Sequence, residues 1–292
     1  MTVEQLSPCK INLLLNILGK RPDGFHELET VLYPIDLCDR LRFARRGQGI
    51  QLACSDPHLP VDGSNLVFRA AEAFAQAAQI KEGIRIDLEK HVPLAAGLGG
   101  GSGNAATTLL GLNTLFGRPL SAARLAELAA NLGSDVPFFL QRLPALATGR
   151  GERIQPLEFF PALRGRFVLL IHPGFGVPTA WAYQQLAHYP EALHGQSGRA
   201  ERLISLLRAG DFSAAQAHFY NGLEAPALGK YPVLALFQEF LHDCGAPVAR
   251  MSGSGSTTFA LLPDRSTAED LRARFKARFG DCWAEVVPLA PT

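Results

Sequence analysis

The sequence predicts an α+β fold in two parts, and three observations carry that prediction. Strand-like and helix-like stretches are mixed without regular βα alternation, so parallel crossovers do not dominate. The pattern restarts around Glu158–Arg166, which divides the chain into residues 1–160 and 161–292. The chain has 292 residues, 47% apolar and 19% charged, enough for sizeable cores and against wholesale disorder.

The elements follow in order. Leu6–Leu18 reads as a strand with Ile11, Leu13, Leu15 and Ile17 on one face and Lys10, Asn12 and Asn16 on the other, because side chains alternate. Arg21-Pro-Asp-Gly24 is a turn signal. Strands are expected at Glu27–Pro34, Asp39–Arg45 and Gly49–Cys54. Asn65–Ala78 carries Leu66, Ala70, Phe74 and Ala77 at helical spacing, with Ser64 as N-cap. Ile84–Lys90 alternates as a strand. A helix begins in or just after a glycine-rich run ending at Asn104, with Ala105, Ala106, Leu109, Leu110 and Leu112 on its apolar face. Another spans about Ala122–Asn131 and is capped near Gly133. Beyond residue 160, Phe167–His172 is a buried-type strand. Helices are expected near Thr179–Leu186, Glu201–Leu207, Phe212–Phe219 and Val233–His242. Strands Val248–Met251 and Thr257–Leu262 flank Ser252-Gly-Ser-Gly-Ser256. A helix at Thr267–Arg278 and a strand at Trp283–Val287 close the pattern.

Composition excludes several classes. A net charge of +1 argues against coating nucleic acid, which needs a basic excess. Met1–Pro8 lacks the charged and apolar regions of a secretory signal, and no stretch approaches about 20 apolar residues, so no membrane span is expected. Five cysteines, Cys9, Cys38, Cys54, Cys244 and Cys282, form no Cys-x-x-Cys pair. These features predict a reducing, cytoplasmic setting and no structural metal.

The chemistry concentrates in a few segments. Gly97, Gly99, Gly100, Gly101 and Gly103 crowd a window just before a helix. Backbone N–H groups can turn toward a ligand there, and a helix N-terminus adds unpaired donors and about half a positive charge. That combination suits a phosphate; the plainer alternative is a mobile loop. No Lys follows the glycines, so the run is not a P-loop. Gly101-Ser-Gly-Asn-Ala-Ala106 does fit the dinucleotide fingerprint, although the strand–turn–helix–strand context is missing. Lys10 is an isolated lysine in an apolar strand; it is either an edge residue facing water or a functional cation with Asn12 beside it. Asp135, in Gly133-Ser-Asp-Val-Pro137, is either a helix cap or a half-buried carboxylate flanked by Phe138 and Phe139. Ser252-Gly-Ser-Gly-Ser256 is a flexible hairpin or a second phosphate loop. Phe25, His26, Trp181 and Tyr183 are ordinary core or surface aromatics when taken singly.

Together these segments resemble the GHMP kinase superfamily. The resemblance rests on Pro8-Cys-Lys-Ile-Asn12, Pro93-x-x-x-Gly-Leu-Gly-Gly-Gly-Ser102, Gly133-Ser-Asp-Val-Pro137 and Ser252-Gly-Ser-Gly-Ser256, and extends along nearly the whole chain. The run Lys10–Leu28, with Arg21-Pro-Asp-Gly-Phe-His26, is most similar to members that phosphorylate the 2-hydroxyl of 4-diphosphocytidyl-2-C-methylerythritol in the non-mevalonate isoprenoid route. His172-Pro-Gly174 and Val177-Pro-Thr179 fit as well.

The resemblance implies a ribosomal-protein-S5-like N-terminal domain, a ferredoxin-like C-terminal domain and an active site between them. It implies ATP as phosphoryl donor, Mg²⁺ accompanying it on unassigned ligands, and a substrate bearing a cytidine diphosphate. Asp135 would be the base and Lys10 its cationic partner. Pro93, Leu94, Ala95, Ala96, Gly97, Leu98, Gly99, Gly100, Gly101, Ser102 and Gly103 would take the ATP phosphates, with Gly253, Ser254 and Gly255 as a second phosphate loop. Asn12, Phe25, His26 and Tyr183 would hold the substrate, two rings sandwiching the cytosine and His26 reading its edge. Three positions depart from the family pattern: Gly103 replaces a second Ser, Phe25 replaces Tyr, and Ala95-Ala96 makes the loop entry less glycine-rich. The alternatives are a mevalonate- or homoserine-type kinase, an NAD-binding oxidoreductase using Gly101–Ala106, or an idle nucleotide-binding module.

Overall fold

In the computed structural model, residues 2–289 are described. They form two compact units interleaved along the chain: unit 1 is Met1–Cys9, Leu37–Pro93 and Gly99–Arg142, and unit 2 is Lys10–Asp36, Leu94–Leu98 and Leu143–Thr292. Strands β1 (Thr2–Lys20) and β2 (His26–Arg45) each contribute to both.

Unit 1 continues with β3 (Ile50–Cys54), α1 (Leu66–Ala77), β4 (Ile84–Glu89), α2 (Gly100–Leu115) and α3 (Ala122–Leu132). The Arg40–Arg45 end of β2 runs antiparallel to β4, and β4 runs parallel to β3, Ile84 lying opposite both Arg45 and Ile50. Phe43, Ile86, Phe74, Ala105 and Leu109 are fully buried, each large side chain contributing about 1.5–3 kcal/mol by leaving water.

Two expectations need correction here. The predicted strands Glu27–Pro34 and Asp39–Arg45 are one strand. Pro34 lies between the stretch of β2 paired to β4 and the stretch paired in unit 2, so neither of those ladders needs the N–H it lacks. The N-cap of α1 is Asn65, whose side chain accepts from the Val67 N–H at 2.9 Å; Ser64 is occupied with Asp62.

Unit 2 contains β5 (Ala145–Gly149), β6 (Arg153–Pro156), β7 (Phe167–His172), α4 (Thr179–Gln185), α5 (Pro190–Leu193), α6 (Arg199–Arg208), α7 (Phe212–Ala215), β8 (Tyr220–Asn221), α8 (Glu224–Lys230), α9 (Pro232–Asp243), β9 (Val248–Met251), β10 (Thr258–Leu262), α10 (Arg265–Phe279) and β11 (Trp283–Pro288). The first half of β2 pairs antiparallel with β5, which pairs with β6. β1 pairs with β8 at Leu14 and Leu15. A separate antiparallel sheet has the order β11-β7-β10-β9. Its core joins Leu169, Ile171 and Ala260 to Phe237 of α9 and Phe275 of α10, with those two rings edge-on at 4.8 Å.

The expected helix Phe212–Phe219 is shorter: α7 ends at Ala215 and a 3₁₀ turn carries the chain to His218. The sequence pattern missed α8 because Pro226 and Gly229 read as breakers. Pro226 lies in its first turn, where no intrahelical N–H bond is required.

Candidate active site

Lys10 lies on β1, whose pairing with β8 is confined to Leu14 and Leu15, yet its side chain does not face water. Lys10, Asn12 and Asn16 are buried at 3%, 4% and 0% exposure. The strand's polar side therefore faces protein, and these groups need partners. The Lys10 ammonium donates to Asn12 Oδ1 at 2.6 Å and to the Gly97 carbonyl at 2.7 Å. Asn12 Nδ2 donates to Thr30 Oγ1 at 2.9 Å, which fixes the amide so that its oxygen faces the lysine.

The glycine-rich run is stitched to β1 as well. The Lys10 N–H donates to the Leu98 carbonyl at 2.9 Å. Gly97 has φ +76°, and a Cβ there would collide with the Ser252 carbonyl oxygen. The second glycine loop is thus seated on the first. Ser252 Oγ donates to the Gly97 carbonyl at 3.0 Å and accepts from the Asn12 N–H at 3.3 Å, while the Thr257 N–H donates to Ala96 O at 3.2 Å. Ser252–Ser256 is buried throughout and is no flexible hairpin. Its hydroxyls are engaged: Ser254 with Thr179 at 2.8 Å and Ser256 with the Phe175 carbonyl. Asn221 Nδ2 donates to the carbonyls of Met251 and Gly253 at 2.7 and 2.8 Å, holding the loop from behind. The Gly255 N–H is spent on Ser252 O.

After Leu98 the run enters unit 1 and becomes α2. Its N-cap is Gly99, in the left-handed region, and no side chain caps the helix. The first N–H groups of a 16-residue helix are left without a side-chain acceptor, which is the arrangement that attracts an anion. Gly101–Ala106 lies wholly inside α2 rather than in a strand-to-helix turn, so the dinucleotide fingerprint has no structural counterpart. Gly103 has a packing cause: a Cβ there would lie 2.7 Å from the Pro8 carbonyl oxygen and 3.1 Å from Ser7 Oγ. Ala95 adopts φ +50°, a conformation costing an L-residue roughly 1–2 kcal/mol, and marks the loop entry as strained.

Asp39 and Lys90 were not found from sequence. Asp39 is fully buried on β2. Its carboxylate accepts from the His91 N–H at 2.7 Å, the Val92 N–H at 2.9 Å, Asn104 Nδ2 at 2.9 Å and the Lys90 ammonium. Asn104 Oδ1 accepts in turn from Lys90 at 3.2 Å. One carboxylate therefore anchors the chain just before Pro93 and just after Gly103, tying both ends of the glycine run. β2 also carries Glu27, Glu29, Asp36, Arg40, Arg42 and Arg45, so nothing in the sequence sets Asp39 apart.

Asp135 sits in the turn between α3 and a 3₁₀ segment, Pro137–Leu140. It is half-buried beside the buried Phe138 and Phe139. It does not cap that segment, whose N-cap is Val136 with no side-chain bond.

His26 and Tyr183 form a ring pair 5.1 Å apart and tilted by 31°. Burial, and secondarily Lys20, pushes the His26 pKa below its ordinary value, so the ring is neutral at physiological pH. Phe25 is 51% exposed and lies under the Arg150 guanidinium at 4.5 Å. The structure thus pairs Tyr183 with His26, and Phe25 with a cation. Trp181 lies under the Lys230 ammonium at 4.1 Å and edge-on to Tyr231.

A buried lysine holds one glycine loop, a second glycine loop is seated on the first, and the first opens a long uncapped helix. Comparison with known proteins identifies the arrangement. The model for the GHMP kinases N terminal domain matches residues 65–142, and that for the GHMP kinases C terminal matches residues 203–281. The chain belongs to the GHMP kinases. This GHMP kinase is 42% identical to a 4-diphosphocytidyl-2-C-methyl-D-erythritol kinase of Pelotomaculum thermopropionicum, across 94% of each chain. It is 40% identical to the protein of the same name from a Synechococcus strain, across 98% of this chain and 94% of that one. A crystal structure of 4-(cytidine 5'-diphospho)-2C-methyl-D-erythritol kinase superposes with a TM-score of 0.82 at 35% identity, covering 98% of this GHMP kinase and 99% of that chain. The mixed α+β fold with two sheets agrees with the sequence expectation.

Proposed function

We infer that this GHMP kinase transfers the γ-phosphoryl group of ATP to the 2-hydroxyl of 4-diphosphocytidyl-2-C-methyl-D-erythritol, in the non-mevalonate route to isoprenoid precursors. The observation that carries the inference is near-full-length similarity, at about 40% identity, to kinases of that name. It favours this substrate over mevalonate or homoserine. The glycine loop inside α2 speaks against NAD, and the packing role of Gly103 removes the motive for an idle nucleotide module.

We further propose the roles of the side chains. Phosphoryl transfer depends mainly on positioning and on stabilising charge. Asp135 orients the acceptor hydroxyl and takes its proton as the new P–O bond forms. Lys10, held by Asn12 and the Gly97 carbonyl, offsets charge developing on the transferred group. N–H groups within the run Pro93–Gly103 receive the ATP phosphates, although Pro93 has none and the Gly103 N–H is spent on Gly99 O; Gly253 and Ser254 add to this lining, whereas the Gly255 N–H is already engaged. Neutral His26 can both donate to and accept from the cytosine edge, while Tyr183 and Phe25 supply ring faces.

Mg²⁺ accompanies ATP in this reading and would neutralise phosphate charge. Among the described residues no group of three or more His, Cys, Asp or Glu could hold a metal ion. That fits an ion carried by phosphate oxygens and water, so no protein ligand is assigned. A cytoplasmic location belongs to the same reading, in keeping with a cysteine set that has no Cys-x-x-Cys pair. Residues 1–160 and 161–292 are proposed as the N- and C-terminal kinase domains, the two matched family segments falling on either side of the division.

Phosphorus NMR of a reaction with ATP and the cytidylylated substrate tests the function. A new monoester resonance with matching ADP is expected; ADP without it, or no transfer, overturns the reading. Asp135→Asn should lower turnover by about 10²–10⁴-fold with ATP binding retained. Near-normal turnover would remove Asp135 from its role as base.

A further inference from the structure

A second basic site lies in unit 2, apart from the glycine loops. A cavity of about 450 Å³ is lined by Arg199 and Arg202 of α6, His218, Tyr220 of β8 and Arg250 of β9, among others. No aspartate or glutamate lines it, and no lining residue belongs to the glycine loops or to the His26–Tyr183 pair. Among the described residues, none of the three guanidinium groups forms an ion pair.

Glu201 of α6 does not line the cavity, and two neighbouring carboxylates are committed elsewhere. Glu29 accepts from the Gly198 and Ala200 N–H groups at 3.3 and 3.1 Å, occupying the N-terminus of α6. Glu224, which senses the Arg250 charge, accepts from the Met251 N–H at 2.7 Å and from Gln238 at 2.9 Å. Two of the arginines are held in place. The Arg199 guanidinium stacks on the Tyr220 ring at 4.2 Å. Arg250 donates to the Phe219 and Ala249 carbonyls, each at 3.2 Å.

Three arginines without an ion-pair partner gathered around one concavity repel each other, the Arg250 charge being offset only in part by Glu224, and need a reason to be there. Guanidinium groups match phosphate oxygens bidentately, and stacking pre-sets their orientation at little entropic cost. The volume falls within the range of about 300–1,000 Å³ that holds one small molecule. A net charge of +1 provides no basic track for a polymer. We propose that this pocket binds a small phosphate- or diphosphate-bearing molecule at a site separate from the catalytic loops.

The test uses inorganic pyrophosphate as probe, with the glycine loops pre-filled by a non-hydrolysable ATP analogue. The imidazole C–H signal of His218, assigned by loss in His218→Asn, is followed by proton NMR. A saturable shift is expected in the native protein, with affinity weakened about tenfold or more in Arg199→Ala/Arg202→Ala, since a charge-assisted hydrogen bond contributes about 1.5–3 kcal/mol. Turnover without added pyrophosphate should stay unchanged in that variant. Should the double variant fold poorly, Arg202→Gln on the exposed face should still weaken binding severalfold. A His218 signal that does not move, or that moves with equal affinity in the folded arginine variants, overturns the proposal.

Discussion

Asp39→Asn tests whether one carboxylate anchors the glycine run. In the native protein one carboxylate oxygen takes the His91 and Val92 N–H groups, and the other takes Asn104 Nδ2 and the Lys90 ammonium. Asparagine offers one acceptor oxygen, and whichever way the amide turns, its NH₂ faces two donors. With the oxygen toward the backbone, the Asn104 bond and the Lys90 pair are both lost. The Lys90 side chain is 6% exposed and keeps only Asn104 Oδ1 at 3.2 Å. Stranding a buried charge costs about 3–5 kcal/mol, against about 0–1 kcal/mol for a surface pair. Urea titration should therefore show a loss of about 3–5 kcal/mol, and melting should fall by roughly 6–15 °C. Adding Lys90→Met removes the stranded charge and should restore most of the loss. With the anchor gone, KM for ATP should rise by a larger factor than kcat falls. A loss under about 1 kcal/mol, or no recovery in the double variant, refutes the reasoning.

Other outcomes follow from the same geometry. Gly103→Ser forces a Cβ against the Pro8 carbonyl and should cost about 1–3 kcal/mol by urea titration, even though serine is the residue the family pattern suggests there. Lys10→Ala should destabilise as well as inactivate. The Gly97 carbonyl keeps the Ser252 hydroxyl, but Asn12 Oδ1 loses its lysine donor, a loss of about 1–3 kcal/mol for a buried acceptor left unsatisfied, so an unchanged melting temperature would contradict the bonding described. Burial holds the His172 pKa below its ordinary 6.5, so the unfolded chain binds the proton more readily. Its contribution is complete above about pH 6.5 and declines as pH falls below that value. His172→Asn keeps an acceptor for the Gly174 N–H at the position of Nδ1 and should flatten that part of the stability–pH curve; an unchanged slope would assign it to other groups.

The elements with strong periodicity were legible from sequence. β7 runs Phe167–His172, as its uninterrupted apolar pattern predicts, and α3 and α9 differ from expectation by a residue or so at their ends. The glycine-rich run was legible because its composition has few other uses. What sequence could not show was partnership. Asn12 is already legible as a companion of Lys10, but only the fold brings the Gly97 carbonyl, 87 positions away, to the ammonium. Asp39 and Lys90 are 51 positions apart, with nothing local to connect them. β5 and β8 were missed for a different reason. Five and two residues long, they carry too little pattern of their own and are defined by pairing with β2 and β1.

The interleaving of the two units also bears on how the protein is made. Every segment of unit 1 lies within the first 142 residues, whereas unit 2 draws on Lys10–Asp36, Leu94–Leu98 and everything after Arg142. On the ribosome, unit 1 can close while most of unit 2 is still unsynthesised, since synthesis is slow relative to the folding of a small unit. The portions of β1 and β2 that belong to unit 2 must then wait for β8 and β5 to emerge. A fragment beginning at residue 161 lacks those strands altogether and would leave β8 without the partner it uses at Leu14 and Leu15. Such a fragment is a candidate client for chaperones rather than a portable module.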